Sequence, residues 1–266
     1  MNRQDPIGIF DSGLGGLTVV KAVRERMPQE DVIYYGDTAH VPYGSKSQET
    51  ILSFTRDALR FFLSHNVKCM VIACNTATAL ALPEIKAESP VPVLGVLEAG
   101  ARAAVRASQS KKIGVIGTPA TIASEAYTKA LRKLEPSCDI YAHPCSLFVP
   151  FVEEGWLDRP ATAMVIEEYL RPLKMAQIDT LILGCTHYPL LAPKISEFLG
   201  PEVRLVDSAS SCAEELEEIL KEKELLRLEG EGSETFFVTD GAAKFAENGS
   251  RFLGRSLQAI KFTPSK

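Results

Sequence analysis

Short apolar runs alternate with amphipathic stretches along almost the whole chain. The pattern predicts strands at Ile7–Phe10, Val32–Tyr35, Lys68–Ala73 and Val91–Val96, with helices at Gly16–Met27, Gln48–Asn66 and Thr76–Glu88 between and after the first three. Pro83 should kink that last helix or begin a new segment. The pattern then restarts. Helices are predicted at Ala99–Ala107, Thr121–Leu134, Ala161–Met175 and Leu190–Leu199, with strands at Lys112–Ile116, Asp139–Ala142, Thr180–Gly184 and Val203–Val206. A helix at Ala213–Lys223, a strand at Thr235–Thr239, a helix at Gly241–Asn248 and a strand at Leu257–Lys261 complete the chain. The charged stretch Glu214–Glu234 reads as a solvated helix and loop with no function of its own. Strands alternating with helices predict an α/β fold with parallel sheets covered on both faces.

The restart carries an internal echo. Ile7-Gly8-Ile9-Phe10-Asp11-Ser12-Gly13 is matched by Ile113-Gly114-Val115-Ile116-Gly117-Thr118-Pro119. Val71-Ile72-Ala73-Cys74-Asn75-Thr76-Ala77-Thr78 is matched, at nearly the same interval, by Leu181-Ile182-Leu183-Gly184-Cys185-Thr186-His187-Tyr188. Two landmarks repeating together point to a duplication. The expected architecture is two similar parallel-sheet α/β domains in a pseudo-twofold relation, with the active site between them. The chain should cross near Glu98 and return near Asp207. That makes 1–98 plus 207–266 a discontinuous first domain and 99–206 the second.

Composition narrows the function. Of 266 residues 45% are hydrophobic and 24% charged, which is ordinary for a globular protein. The net charge is −5 and no long basic run occurs, which argues against nucleic acid as a partner. No apolar run is long enough to span a membrane, and the N-terminus enters its first strand without a signal peptide. A cytoplasmic protein is therefore expected, with its six cysteines reduced, since they are scattered and form no CxxC pair. Cys69, Cys138 and Cys212 read as inert core thiols, and Cys145 stays ambiguous in its Pro-containing loop. Zinc is not expected, because Cys185-Thr186-His187 lacks a second close pair of ligands.

Each echoed motif ends an apolar strand in a cysteine and then begins a helical pattern. Carboxyl ends of parallel strands are where α/β proteins bind ligands, and a helix N-terminus favours a thiolate. Two such thiols from two halves can face one ligand from opposite sides, which suits a reaction needing one base and one acid. His187 can act as an acid/base partner or pair as a cation with a thiolate. The glycine-rich turn Asp11–Gly16 and the loop Gly36–Ser45 follow the first two strands and suit ligand binding. Neither contains Lys or Arg, so an anion there meets neutral donors, while Asp11 and Asp37 call for a positive group on the same ligand. An α-amino acid meets both demands.

Phe10-Asp11-Ser12-Gly13-Leu14-Gly15-Gly16, Pro42-Tyr43-Gly44, Cys74-Asn75-Thr76-Ala77 and Gly184-Cys185-Thr186-His187-Tyr188-Pro189 resemble the motifs of bacterial glutamate racemases. The resemblance runs in order through most of the chain. It implies a cofactor-independent exchange of the Cα proton that interconverts L- and D-glutamate, supplying D-glutamate for peptidoglycan. It implies that the cysteine matching Cys74 deprotonates D-glutamate and that matching Cys185 deprotonates L-glutamate, with Asp11, Asp37, Glu153 and His187 assisting. Either Glu153 or Glu154 could be the matching acid. Ser12, Pro42, Tyr43, Gly44, Asn75, Thr76, Thr118, Thr121 and Thr186, together with Asp11 and His187, would line the substrate site. Some family members carry an N-terminal extension tied to activation by a cell-wall precursor, and with a first strand at Ile7 that activation is not expected here. A homodimer is expected.

Three other readings compete. A racemase for aspartate or another acidic amino acid would share the plan and differ in pocket size. A thiol hydrolase or redox enzyme would need only one essential cysteine. A non-catalytic amino-acid-binding protein would need neither.

Overall fold

A computed structural model describes residues 1–263. Its first strand, β1 (Ile7–Asp11), is buried at every position, as a central parallel strand requires. Ile7 and Ile9 enter the core on one face of the sheet and Phe10 enters the core on the other. Helix α1 (Leu17–Arg26), β2 (Val32–Gly36), α2 (Gln48–Ser64), β3 (Cys69–Ile72), α3 (Asn75–Glu88) and β4 (Val93–Gly95) follow. Then come α4 (Val96–Ala107), β5 (Lys112–Gly117), α5 (Pro119–Ala123), α6 (Ala126–Leu134), β6 (Asp139–Pro144), α7 (Phe148–Glu153) and α8 (Pro160–Met175). The chain continues through β7 (Thr180–Gly184), α9 (Ala192–Leu199), β8 (Arg204–Asp207), α10 (Ser208–Glu222), β9 (Glu234–Val238), α11 (Ala242–Leu253) and β10 (Ala259–Lys261).

The strands form two sheets, ordered β10-β9-β2-β1-β3-β4 and β6-β5-β7-β8, and every pairing is parallel. The second order repeats the run β2-β1-β3-β4 of the first, with β5 in the place of β1 and β7 in the place of β3. The echo in the sequence is therefore an echo in topology. Cys74 follows β3 and Cys185 follows β7, at equivalent strand ends.

Both sheets are covered on both faces. In the first, α1 and α10 pack on one side, while α2 and α3 pack on the other. In the second, α7, α8 and α9 cover one side, and α4 and α6 the other. Helix α4 starts directly after β4 yet sends Leu97, Ala101 and Ala104 into the core of the second sheet. Helix α10 starts directly after β8 and sends Cys212, Leu216 and Leu220 into that of the first. The end of the expected first-domain segment, 264–266, lies outside the described residues. Among the described residues no helix is long and apolar enough to cross a membrane.

Several elements differ from the pattern reading. The helix expected over Thr121–Leu134 is broken, because Glu125 adopts φ 56° and separates α5 from α6. The helix expected from Leu190 begins as a 3₁₀ turn at Tyr188–Leu191 and becomes α-helical only from Ala192. Pro189 and Pro193 remove two backbone donors there. Pro83 neither breaks α3 nor starts a new segment; the helix runs on to Glu88. Helix α10 begins earlier than Ala213, since the Asp207 carboxylate caps it by accepting from the N–H groups of Ala209 and Ser210. The short α7, inside a Pro-containing segment, was not predicted.

At the amino edge of the first sheet, Lys68 and Glu30 form an ion pair with both side chains fully buried. The Lys68 ammonium also donates to the carbonyls of Arg3 and Leu225, and the second oxygen of Glu30 accepts from the backbone N–H of Arg227. Lys68→Met would strand a buried carboxylate and should cost about 3–5 kcal/mol, read from urea unfolding. Adding Glu30→Leu should recover part of that loss; a double variant less stable than the single would contradict this account.

Candidate active site

The sheet registers decide which residues emerge together. Asp11 pairs with Gly36, and the N–H of Ala73 donates to the carbonyl of Phe10 at 2.8 Å, so Asp11, Asp37 and Cys74 leave the first sheet side by side. Gly117 pairs with Gly184, so Thr118 and Cys185 leave the second sheet together. The two carboxyl edges face each other across one small cavity. Ser12, Pro42, Tyr43, Gly44, Cys74, Asn75, Thr76, Thr118, Cys185, Thr186 and His187 line it, with Val41 and Val149 as its apolar walls. Its free volume is about 20 Å³. Asp11, Asp37, Glu153 and Thr121 stand behind this lining and touch it through hydrogen bonds.

Direct contacts join the edges. The Thr186 hydroxyl donates to Asp11 Oδ1 at 3.2 Å, and Asp11 Oδ2 accepts from the N–H of Gly13 at 2.9 Å. Thr76 shares hydrogen bonds with Thr118 and Thr121 at 2.9 and 3.1 Å. The approach is close enough that a Cβ on Gly15 would lie 2.3 Å from Thr186 Oγ1 and 2.7 Å from His187 Nδ1. Only glycine fits there.

The two thiols sit at equivalent places in unequal fields. Cys74 precedes α3, so its sulfur lies at a helix N-terminus, 3.7 Å from the Ser12 hydroxyl oxygen. Burial and the neighbouring Asp11 carboxylate nevertheless push its pKa up to about 12. Cys185 has no α-helix at its back, only the 3₁₀ turn, and instead meets His187, whose Nδ1 is 3.8 Å from its sulfur. The other ring nitrogen, Nε2, lies 2.7 Å from Glu153 Oε1. Of the two adjacent acids it is Glu153 that meets this histidine, whereas Glu154 is exposed and faces Lys244.

Burial acts to lower the His187 pKa, but its hydrogen bonds to Cys185 and Glu153 outweigh burial and raise it to about 10. The Asp11 carboxyl is raised by its complete burial, against the opposing pull of His187.

Asp37 does not line the cavity. Its carboxylate accepts from the Tyr43 hydroxyl at 2.6 Å and the Thr239 hydroxyl at 2.9 Å, with His40 Nδ1 2.8 Å away. It therefore fixes Tyr43, which does line it. Thr239 follows β9, and its part in this network had no signal in the sequence beyond its place after a strand. Cys69, Cys138, Cys145 and Cys212 are buried, and burial raises the pKa of each.

The family model for Asp/Glu/hydantoin racemases matches residues 17–216. A glutamate racemase of Syntrophus aciditrophicus is 50% identical over 257 residues, covering 96% of this chain and 95% of that protein. Among solved structures, a glutamate racemase isoform from Bacillus anthracis superposes with a TM-score of 0.97 at 38% identity, covering both chains completely. One from Francisella tularensis, in complex with D-glutamate, gives 0.92 at 38% identity over 98% of each chain.

His187 stabilises the fold while its folded pKa exceeds its ordinary value of 6.5. That contribution is complete below the ordinary value and is lost as the pH rises through about 10. Glu153→Gln should move the His187 titration, followed by NMR of the ring protons, towards neutrality. The alkaline loss of thermal stability should then begin at lower pH. An unmoved titration would show that Glu153 does not hold the charge on this ring.

Proposed function

This chain belongs to the Asp/Glu/hydantoin racemase family, and from that premise we propose that it interconverts L- and D-glutamate by a two-base transfer of the Cα proton. The observation that carries this reading is the presence of two cysteines from equivalent strand ends in one enclosed cavity. A single base tends to return a proton to the face it left. Two groups on opposite faces can take one proton and give another, which inverts the carbon.

In the L-to-D direction, the Cys185 thiolate takes the Cα proton and the Cys74 thiol delivers its own to the other face. The reverse direction starts from the Cys74 thiolate and the Cys185 thiol. The carbanion between the two steps places charge on the substrate carboxylate, where Asn75, Thr76, Thr118 and the backbone N–H of Thr186 offer neutral donors. Ser12, Pro42, Tyr43 and Gly44 complete the walls. Asp11 balances the substrate ammonium. Glu153 holds the charge on His187, Asp37 holds Tyr43, and Thr121 holds Thr76 and Thr118.

The reading includes a division into domains, 1–98 with 207–266 and 99–206, whose opening admits a substrate larger than the present cavity. It needs no cofactor and no metal. It has the enzyme working in the cytoplasm on D-glutamate supply for peptidoglycan, as a homodimer that sedimentation would detect.

Incubation of L- or D-glutamate with the protein in D₂O, without pyridoxal phosphate, should place deuterium at Cα and bring both enantiomers to equal amounts. Exchange of aspartate but not glutamate would sink the substrate assignment; binding without exchange would sink the enzyme. Cys74→Ala and Cys185→Ala should each reduce racemisation by about 10²–10⁴-fold. Either variant keeping wild-type turnover in both directions would end the two-base account.

The rate should follow a bell against pH, because each direction needs a thiolate opposite a thiol, and its limbs belong to the coupled pair. Asp11 pushes the Cys74 pKa up, so Asp11→Asn should move the limb reporting Cys74 to lower pH. His187→Asn removes the cation beside Cys185. The two variants should therefore change kcat for L- and D-glutamate unequally, while kcat/KM stays equal in the two directions because the enantiomers have equal energy. Equal kcat losses with unmoved limbs would leave both residues as binding or structural groups.

A further inference from the structure

The amide of Asn75 is buried, lines the cavity and has only one end satisfied. Its oxygen accepts from the Tyr127 hydroxyl at 2.6 Å, while its nitrogen has no hydrogen-bond partner among the described residues. A buried N–H₂ left without an acceptor is costly, and an amide presents donors only at its nitrogen. Tyr127 therefore decides which end of the amide is free for a ligand, and the free end is the donor.

Tyr127 belongs to the other half of the molecule. It sits in α6, beside the second sheet, and reaches across to the first residue of α3, next to Cys74. Its ring packs against the strand end that carries the other thiol, where a Cβ on Gly184 would come within 3.0 Å of Tyr127 Cε2. Its hydroxyl also lies near Ser208, where the chain leaves β8 and begins α10: a Cβ on Gly100 would sit 3.4 Å from Tyr127 Oη and 3.2 Å from Ser208 Cβ. One side chain thus touches the residue after Cys74, the residue before Cys185 and the point where the chain returns to the first sheet.

We propose that Tyr127 is a positioning residue: its hydroxyl locks the Asn75 amide with the N–H₂ turned to the substrate carboxylate, and does so only when the two sheet edges are together. The inference rests on the racemase reading for the identity of the substrate, and on the geometry of Tyr127 and Asn75 for the rest. It links closure of the site to its readiness for an anion, because the donor is fixed from across the gap.

The experiment compares Tyr127→Phe, Asn75→Ala and the double variant. Phenylalanine keeps the ring against Gly184 and removes only the hydroxyl. Calorimetric Kd values for L- and D-glutamate and Cα-exchange rates in D₂O would be measured for each. Tyr127→Phe should weaken binding of both enantiomers by about three- to ten-fold, with both limbs of the pH profile unmoved. In the Asn75→Ala background the same substitution should change exchange efficiency less than about two-fold, as expected for residues acting as one unit. Ser208→Ala, which leaves the Tyr127–Asn75 contact in place, should weaken binding less than Tyr127→Phe.

Wild-type Kd values in Tyr127→Phe, or an undiminished penalty in the Asn75→Ala background, would overturn the proposal. A lowered Tm with unchanged Kd would assign Tyr127 to packing alone and would overturn it equally. Wild-type protein that binds glutamate without exchanging its Cα proton would sink the racemase reading, while the Kd comparison would still decide the role of Tyr127.

Discussion

The hydrogen bond from Thr186 to the buried Asp11 carboxyl joins two sheet edges whose polar strand ends must give up water to meet. Each edge brings polar strand ends and a thiol out of a dry core, and each would rather face water. Closing them over a cavity of about 20 Å³ strips that water away. The closure holds because the exposed groups of one edge answer those of the other. Thr186 donates to Asp11, Thr76 meets Thr118 and Thr121, and Tyr127 donates to Asn75. Gly15 removes the side chain that would keep the edges apart. A buried polar network of this kind stabilises only when its members are satisfied together. Asn75 is its incomplete member, and Asn75 lines the cavity.

Duplication supplies two thiols in equivalent positions, yet symmetric surroundings would make a poor pair of bases. With equal affinities for protons, neither sulfur would be biased towards either state. The two halves break the equality with different devices. The first sets Cys74 at a helix N-terminus and then raises its pKa through burial and Asp11. The second trades the helix for a 3₁₀ turn and gives Cys185 a histidine whose pKa is raised to about 10, against burial, by its hydrogen bonds to Cys185 and Glu153. The carboxylate side disfavours an anion on its sulfur, and the other sulfur has an imidazole for a neighbour instead.

Much of this was legible in the sequence because the features that carry it are local. An apolar run, a cysteine, a small hydroxyl or amide residue and a helical pattern fix a strand end, and two such segments at a similar interval fix the duplication. What was not legible depends on contacts between distant segments. Glu153 could not be separated from Glu154 by spacing, since only the packing of α7 against the turn after β7 brings one of them to His187. Asp37 looked like a residue facing the ligand, yet Tyr43, Thr239 and His40 surround it. The break before α6 rests on one residue in a left-handed conformation, Glu125, which carries no sequence signal comparable to a glycine. That break nevertheless starts the helix whose second residue, Tyr127, reaches Asn75.

The absence of Lys and Arg from the cavity lining has a chemical sense on the proposed reading. A fixed cation on the substrate carboxylate would bind the ground state strongly. It would also lower the proton affinity of both sulfurs, when one of them must stay a thiol. Neutral donors avoid that effect and still strengthen as charge moves onto the carboxylate during proton removal. The substrate ammonium, set against Asp11, supplies positive charge only when substrate is present, and so offsets the carboxylate that otherwise keeps Cys74 protonated. His187, the positive group of the lining, stands beside one sulfur rather than between the two. The charges thus flank the pair of thiols, Asp11 near Cys74 and His187 beside Cys185.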